Sequence, residues 1–341
     1  MTAGRKDANL IIKQVRPIVE KEQGGKPVHK WKKAGILLSL LSVAEAGSSA
    51  YFYKRTMKRG MASTERTMKM AGTDWSQYED LLKERKEKFL ARPREDVSIR
   101  SRDGLRLRGT YIPNGDEKKI VICFHGYTSQ GMSDYIGLSD YYLRHGFSML
   151  LPDARAHGRS EGTYIGFGCL DRYDALCWIR WMIHKAGDDA EILLHGTSMG
   201  GATVLMAAGL ELPAQVKGII SDCGFTSAKE VFTHVLHSMY HLPAFPMIQI
   251  ASMVNRKKAG YGLDDCNSAR EVRKATVPAL LIHGSGDTFV PCSMCDRIYQ
   301  NYACENKKKL IVEGAAHAES YYKDPAAYEA ALDAFIGGII K

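Results

Sequence analysis

From residue 97 onward the chain alternates short apolar runs with longer stretches in which apolar residues recur every three to four positions. Two alternating runs come first, Val97 to Arg102 and Leu105 to Ile112, and the Asp103-Gly104 pair between them favours a β-hairpin turn. Later runs have the character of buried strands: Lys119 to Phe124, Ser148 to Leu151, Ile192 to Leu194, Val216 to Ser221, Ala279 to Ile282 and Lys309 to Val312. Helical spacing is predicted over Cys169 to Lys185, Ala202 to Leu210, Ser293 to Tyr302 and about Asp324 to Ile336. Alternation of this kind predicts an α/β architecture, a mostly parallel sheet with helices on both faces and an antiparallel hairpin at its start. The pattern breaks at about 225–265, an apolar and aromatic insertion too long for a simple connection; it is expected to form a small helical cap over the sheet edge. Residues 61–95 are charged and read as a helical connector, which leaves 96–341 as the main domain.

Charge separates the first 60 residues from the rest. They hold 13 Lys/Arg against 4 Asp/Glu, the whole of the net charge of +9, while the remainder carries 34 of each sign. A basic groove on the domain, and with it nucleic-acid binding, is therefore not expected. Within this basic extension the run 34–53 is apolar, 20 residues long and flanked by Lys and Arg on both sides, with Trp31, Tyr51 and Tyr53 near its ends. Its length and flanks fit a membrane anchor, and the expectation is a membrane-associated protein, otherwise cytoplasmic, of open sidedness. Glu45 and several Ser and Gly residues within the run argue the other way, for a soluble or interfacial helix. The eight cysteines are scattered through predicted strands and helices, as reduced structural thiols are; Cys292-x-x-Cys295 is the single close pair.

The chemistry concentrates at the C-terminal ends of predicted strands. After Ile192 to Leu194 comes Gly196-Thr-Ser198-Met-Gly200, the nucleophile-elbow pattern between a strand and a helix. A sharp turn there needs small residues two positions to either side of the serine, and it lifts the serine oxygen beside a helix N-terminus. After Lys119 to Phe124 comes His125-Gly126-Tyr127, where the Tyr127 N–H, with that of Met199, is expected to form an oxyanion hole. His125 is assigned to tying down that loop. Pro152-Asp153-Ala-Arg155-Ala-His157-Gly158-Arg-Ser160 is assigned to structure through charge-assisted hydrogen bonds. Asp287 follows the 279–282 strand and His317 follows the last strand, so that Ser198, Asp287 and His317 stand in chain order as nucleophile, acid and base. Asp222 is the competing acid. His234, His237 and His241 share a helical spacing that admits a metal site, with solvated or lid-packing histidines the plainer reading.

On these motifs the chain from about Val97 to Lys341 resembles the α/β-hydrolases. It is similar to the bacterial serine-aminopeptidase-like and esterase-like members, in particular a branch with an N-terminal hydrophobic anchor and a cap segment like Tyr240-His-Leu242-Pro243-x-x-Pro246. The longer His-Gly-Gly-Gly loop of some lipases and esterases is absent. The resemblance implies neither an organic cofactor nor a metal. The expected activity is hydrolysis of a small-molecule carboxylic ester with an apolar acyl group. Two other readings stand beside it, a serine aminopeptidase or amidase and a non-catalytic, membrane-tethered binding protein that keeps the fold.

Overall fold

The computed structural model describes residues 47–60, 69, 72–115 and 117–340. The chain divides between Gly47 and Ser48, and the architecture below is that of the unit beginning at Ser48. In order, its elements are α1 (helical residues through 57), a short 3₁₀ turn Trp75–Tyr78, α2 (Glu79–Leu90), β1 (Glu95–Arg100), β2 (Arg106–Ile112), β3 (Lys119–Phe124), α3 (Gly131–Arg144), β4 (Ser148–Pro152), α4 (Asp171–Ala186), β5 (Glu191–Thr197), α5 (Met199–Ala208) and β6 (Val216–Asp222). There follow α6 (Ala228–Tyr240), α7 (Met247–Ala259), α8 (Ser268–Glu271), β7 (Ala279–Gly284), α9 (Cys292–Asn301), β8 (Lys307–Val312), α10 (Ser320–Lys323) and α11 (Pro325–Ile336).

The eight strands form one sheet in the order β1-β2-β4-β3-β5-β6-β7-β8. The first two pairings, β1 with β2 and β2 with β4, are antiparallel, and every later one is parallel. Period-two alternation sorts the strand side chains between two cores. Ile120, Ile122 and Phe124 of β3 enter one with Trp178 and Met182 of α4 and Val204 of α5, whereas Val121 and Cys123 enter the other with Tyr135 and Tyr142 of α3 and Tyr328 and Phe335 of α11. This is the α/β-hydrolase fold, with a hairpin at one edge and helices on both faces. Helix α3 was not among the elements expected from sequence. Tyr135, Leu138 and Tyr142 do fall on one buried face, but Gly131 and Gly137 and a row of tyrosines give the segment poor intrinsic helicity, so tertiary packing decides it.

Two expectations need correction. The membrane anchor is the first. Most of 34–53 lies outside the described residues, but its last part does not span anything: Tyr53 and Met57 of α1 are buried against the protein, with the Tyr53 hydroxyl 3.3 Å from Asn255 Oδ1 and Phe52 edge-on to Phe232 at 5.5 Å. No helix among the described residues is long and apolar enough to cross a membrane, and the localisation inferred from the run is overturned. The apolar residues that suggested lipid contact here serve a protein–protein contact within the chain.

The second concerns the cysteines. Cys169 and Cys266 form a disulfide across 97 residues, joining the start of α4 to the segment after α7; Cys292 and Cys295 are free. Helices α6 and α7 do form in the 225–265 insertion, and their inner faces (Phe232, Val235, Ile248) pack on Phe167, Tyr53 and Met57. None of their residues lines the cavity described next.

Candidate active site

Ser198 sits at the turn from β5 into α5 with φ 55° and ψ −109°, a left-handed conformation that an L-residue adopts only when its surroundings enforce it. Gly196 and Gly200 show why the turn is written in small residues. A Cβ on Gly196 would collide with the Gly200 carbonyl, and one on Gly200 with the Phe124 carbonyl. The turn is held by Ser198 N–H, which donates to Asp222 O at 2.8 Å, and by Ala202 N–H, which donates to Ser198 O at 2.9 Å.

The structure brings Ser198, His317 and Asp287 into one hydrogen-bonded line. Ser198 Oγ is 2.8 Å from His317 Nε2, and His317 Nδ1 is 2.7 Å from Asp287 Oδ2. Because Asp287 Oδ2 can only accept, Nδ1 carries the imidazole proton and Nε2 is left free to accept from the serine. Asp287 Oδ1 accepts from the Phe289 and Val290 N–H groups at 2.9 and 2.8 Å. Burial pushes the Asp287 carboxyl up, yet His317 and His283 more than offset it and hold the acid well below the usual carboxylate range. All three residues lie beyond the C-terminal ends of parallel strands, where the sheet leaves a crevice.

Tyr127 lines the crevice beside Ser198, and Met199 directly follows the serine in the chain. Their N–H groups have no assigned hydrogen bond among the described residues, and Met199 opens α5, where the helix leaves its first N–H groups free. The loop that carries Tyr127 is pinned at several points. His125 Nδ1–H donates to Gly126 O at 2.7 Å, and His125 Nε2 accepts from Ala154 N–H at 2.9 Å. Asp134 of α3 accepts from Gly126 N–H at 2.6 Å and from the Ser129 hydroxyl. The Tyr127 hydroxyl donates to Thr56 O at 3.0 Å, which ties the loop to α1. With the Gly126 carbonyl fixed, the following N–H is aimed the opposite way by peptide planarity. Asp134 was not singled out from the sequence; its partner lies eight residues upstream, in a loop whose course only the fold determines.

The structural assignments of the Asp153 loop are observed in a modified form. Arg155 makes a bidentate contact with Asp174 (2.6 and 2.7 Å) and reaches Asp103, while Asp153 accepts from Gly131 N–H and from Arg159. Asp222, the competing acid, instead accepts from the Tyr328 hydroxyl at 3.1 Å and the Ser320 hydroxyl at 3.3 Å. Burial pushes it up to about 6, against the pull of His283 and these donors. Next to it His195 is buried between Tyr142 (2.7 Å) and Tyr328 (3.3 Å), and burial pushes its pKa down to about 3. The three cap histidines do not converge. His234 Nε2–H donates to Thr288 O at 2.9 Å, His237 Nε2 accepts from Ala244 N–H at 3.3 Å, and no cluster of metal-ligating side chains occurs among the described residues.

Ser198 and His317 open into a cavity of about 640 Å³. Tyr127, Ala156, His157 and Ile165 line it, as do Leu138, Tyr321, Tyr322 and Tyr328. Arg59, Trp75 and Leu82 also line it, so the segment before β1 supplies part of its wall. Arg59 is anchored by donating to Gly158 O at 2.7 Å and to Ser160 O. Among the described lining residues the carboxylates outside the Ser198–His317–Asp287 line, Asp134 and Asp222, already accept hydrogen bonds from the protein.

Comparison with known proteins agrees with this architecture. The family model described as "alpha/beta hydrolase fold" matches residues 119–254. The chain is 27% identical over 238 residues to the uncharacterized protein YqkD of Bacillus subtilis, covering 70% of this chain and 77% of that one. It is 25% identical over 234 residues to the uncharacterized protein YfhR of Escherichia coli, covering 67% and 74%. Among solved structures it is similar to the Pyrococcus furiosus esterase Pf2001 (TM-score 0.63, 21% identity, 74% of this chain and 94% of that one). It is also similar to the esterase EaEST of Exiguobacterium antarcticum (TM-score 0.53, 16% identity, 71% and 100%). Together the family model and these structures agree with the α/β-hydrolase fold of the chain.

Proposed function

We propose that the protein is a serine hydrolase that cleaves carboxylic esters of small or lipid-like apolar acyl groups through an acyl-enzyme. The observation that carries the reading is the continuous Ser198–His317–Asp287 line at the wall of a largely apolar cavity. In the first half-reaction Ser198 Oγ attacks the ester carbonyl carbon while its proton passes to His317 Nε2. The negative charge that develops on the carbonyl oxygen is met by the Tyr127 and Met199 N–H groups, an arrangement whose single-donor loss costs about 3–4 kcal/mol in comparable sites. His317 then returns the proton to the departing alcohol. In the second half-reaction His317 takes a proton from water, whose oxygen attacks the acyl carbon, and Ser198 is regenerated. Asp287 keeps the Nδ1–H tautomer of His317 and stabilises its cationic form throughout.

The ester reading is favoured over an aminopeptidase because a substrate ammonium would need an uncommitted carboxylate, and those of the cavity are engaged. A fluorophosphonate probe and a panel of nitrophenyl esters beside aminoacyl anilides test both. Wild-type protein is expected to be labelled and to turn over esters, and Ser198→Ala to abolish both. Anilide turnover exceeding ester turnover would replace this reading with the peptidase one; a folded wild type that takes no label would point to a binding protein.

A further inference from the structure

Part of the cavity wall is polar and has no task in the ester mechanism above. It is built where the segment before β1 runs beside the loop between β4 and α4. Arg59 N–H donates to Thr163 O and Ile165 N–H to Met57 O, both at 2.9 Å, and Lys58 bridges Tyr164 antiparallel between them. Backbone pairing thus sets the place of Arg59. Its guanidinium donates from Nη2 to Gly158 O at 2.7 Å and from Nη1 to Ser160 O, which holds the side chain along the cavity. Two carbonyls orient a guanidinium without neutralising it. Arg155 and Arg159 of the same loop each meet aspartates, whereas no carboxylate pairs with Arg59 among the described residues. The rest of its five N–H groups have no assigned acceptor there.

His157, one residue before Gly158, lines the same cavity. It is only 7% exposed; its Nδ1–H donates to Arg155 O at 3.0 Å, and its Nε2 has no partner among the described residues. With the ring proton on Nδ1, Nε2 presents a lone pair. Burial, with His125 and Arg59 close by, pushes the ring down to about 3, in keeping with a neutral imidazole. A buried acceptor without a donor is a cost that a bound hydroxyl removes. A fixed, unpaired cation and a buried, unpaired acceptor therefore stand together on the wall of the cavity that holds Ser198.

We propose that Arg59 and His157 form a subsite for the alcohol part of the ester, Arg59 taking a carboxylate or phosphate and His157 Nε2 accepting from a hydroxyl beside it. The inference rests on the serine-hydrolase reading and narrows it: the acyl group is apolar, and the alcohol released is a hydroxylated acid or phosphate. The anion belongs to the alcohol because the remaining lining suits an apolar acyl group, with Trp75, Leu82, Leu138 and Ile165, and its carboxylates Asp134 and Asp222 are acceptors already engaged. Arg59 is also exposed to solvent, so its attraction for the anion is of the kind that salt weakens.

The test uses the full chain and measures acid release from the monobutanoyl esters of glycerol, glycerol phosphate, glycerate and propanediol phosphate, the last lacking the hydroxyl. Wild type should favour the glycerol phosphate or the glycerate ester over butanoylglycerol by about tenfold in kcat/KM, chiefly through KM, and raised salt should shrink that preference. The stronger of the two effects identifies the anion. Arg59→Gln should erase the preference, and Arg59→Lys, which keeps the charge without the planar fork, should restore part of it. His157→Phe keeps a ring against His125, 5.1 Å away, and removes the lone pair; it should cut the preference for glycerol phosphate over propanediol phosphate by about threefold. Equal losses on neutral and anionic esters in Arg59→Gln would mean that Arg59 only braces the wall, and would overturn the proposal. A wild type that shows no anionic preference, or one indifferent to salt, overturns it as well, and this arm needs no variant to fold. Turnover of butanoylglycerol without that preference removes the subsite and leaves the serine reading, whereas absence of turnover and of fluorophosphonate labelling defeats the serine reading itself.

Discussion

At the scale of single residues, what the sequence made legible was whatever a motif encodes over a few positions. Gly196 and Gly200 are required by backbone atoms that almost touch them, so a strand–Gly-x-Ser-x-Gly–helix pattern announces its own geometry. Asp287 and His317 were legible for a related reason, since each directly follows a strand and parallel strands bring their C-terminal ends together. Asp134 was not, because it acts on a loop whose course only the assembled fold provides. Asp134 therefore makes a good test of the geometry. Its carboxylate fixes Gly126 N–H, one residue before the Tyr127 donor, while a Cβ at Gly126 would come within 3.5 Å of Ser198 Cβ, so the pinned loop is pressed against the nucleophile. Asp134→Asn weakens that tie without altering the triad. It should lower kcat by about tenfold, less than the loss of an oxyanion donor, with KM nearly unchanged. Steady-state ester kinetics check this, and a variant that changes KM alone would show that the loop binds the ground state rather than the transition state.

At the scale of elements, the surprise is which segment encloses the cavity. The insertion at 225–265 is the more apolar, and apolar character drew attention to it as the pocket cover, yet its apolar faces are spent on Phe167, Tyr53 and Met57. Residues 61–95 looked like a charged connector because α2 is polar on most of its surface. Hydropathy averages missed that Trp75 and Leu82 line the cavity into which Ser198 opens. Trp75 stands edge-on to Tyr322 at 5.2 Å, so its ring is held as a fixed wall. Trp75→Ala removes that wall and leaves the catalytic line intact. The ratio of kcat/KM for long over short acyl esters should rise by about tenfold, the scale on which one or two methylenes are discriminated in an apolar pocket. An acyl-length series with the Ser198 labelling rate as control measures it; an unaltered length preference would place the acyl group away from Trp75 in the cavity.

At the scale of the molecule, the buried titratable groups set how stability follows pH, and their signs oppose. His157 and His195 are both pushed down by burial to about 3, so between there and the ordinary histidine value the unfolded chain binds two protons that the folded one refuses. Each proton contributes a slope of about 1.4 kcal/mol per pH unit, with stability rising as pH rises. Asp174 and Asp222 work the other way. Burial raises both to about 6, so from pH ~4 to ~6 the folded chain holds two protons that the unfolded one has lost, and Asp171, also raised by burial, adds to this side. Over that window the two pairs nearly cancel, leaving the smaller contribution of Asp171. Below pH ~4 the histidines continue alone and are joined by Asp287, whose depressed acidity contributes stability that is lost as pH falls; above pH ~6.5 the raised His283 loses its advantage as pH climbs. The wild type should therefore show a plateau of thermal or urea stability from about pH 4 to 6.5, falling on both sides. Asp222→Asn takes one proton from the carboxylate side, so the plateau should tilt, with stability declining by about 1.4 kcal/mol for each pH unit from 6 down to 4. Urea titrations of both proteins across that range decide it: parallel curves would mean that Asp222 titrates alike in the folded and unfolded chain, and that the hydrogen bonds from Tyr328 and Ser320 fully offset its burial.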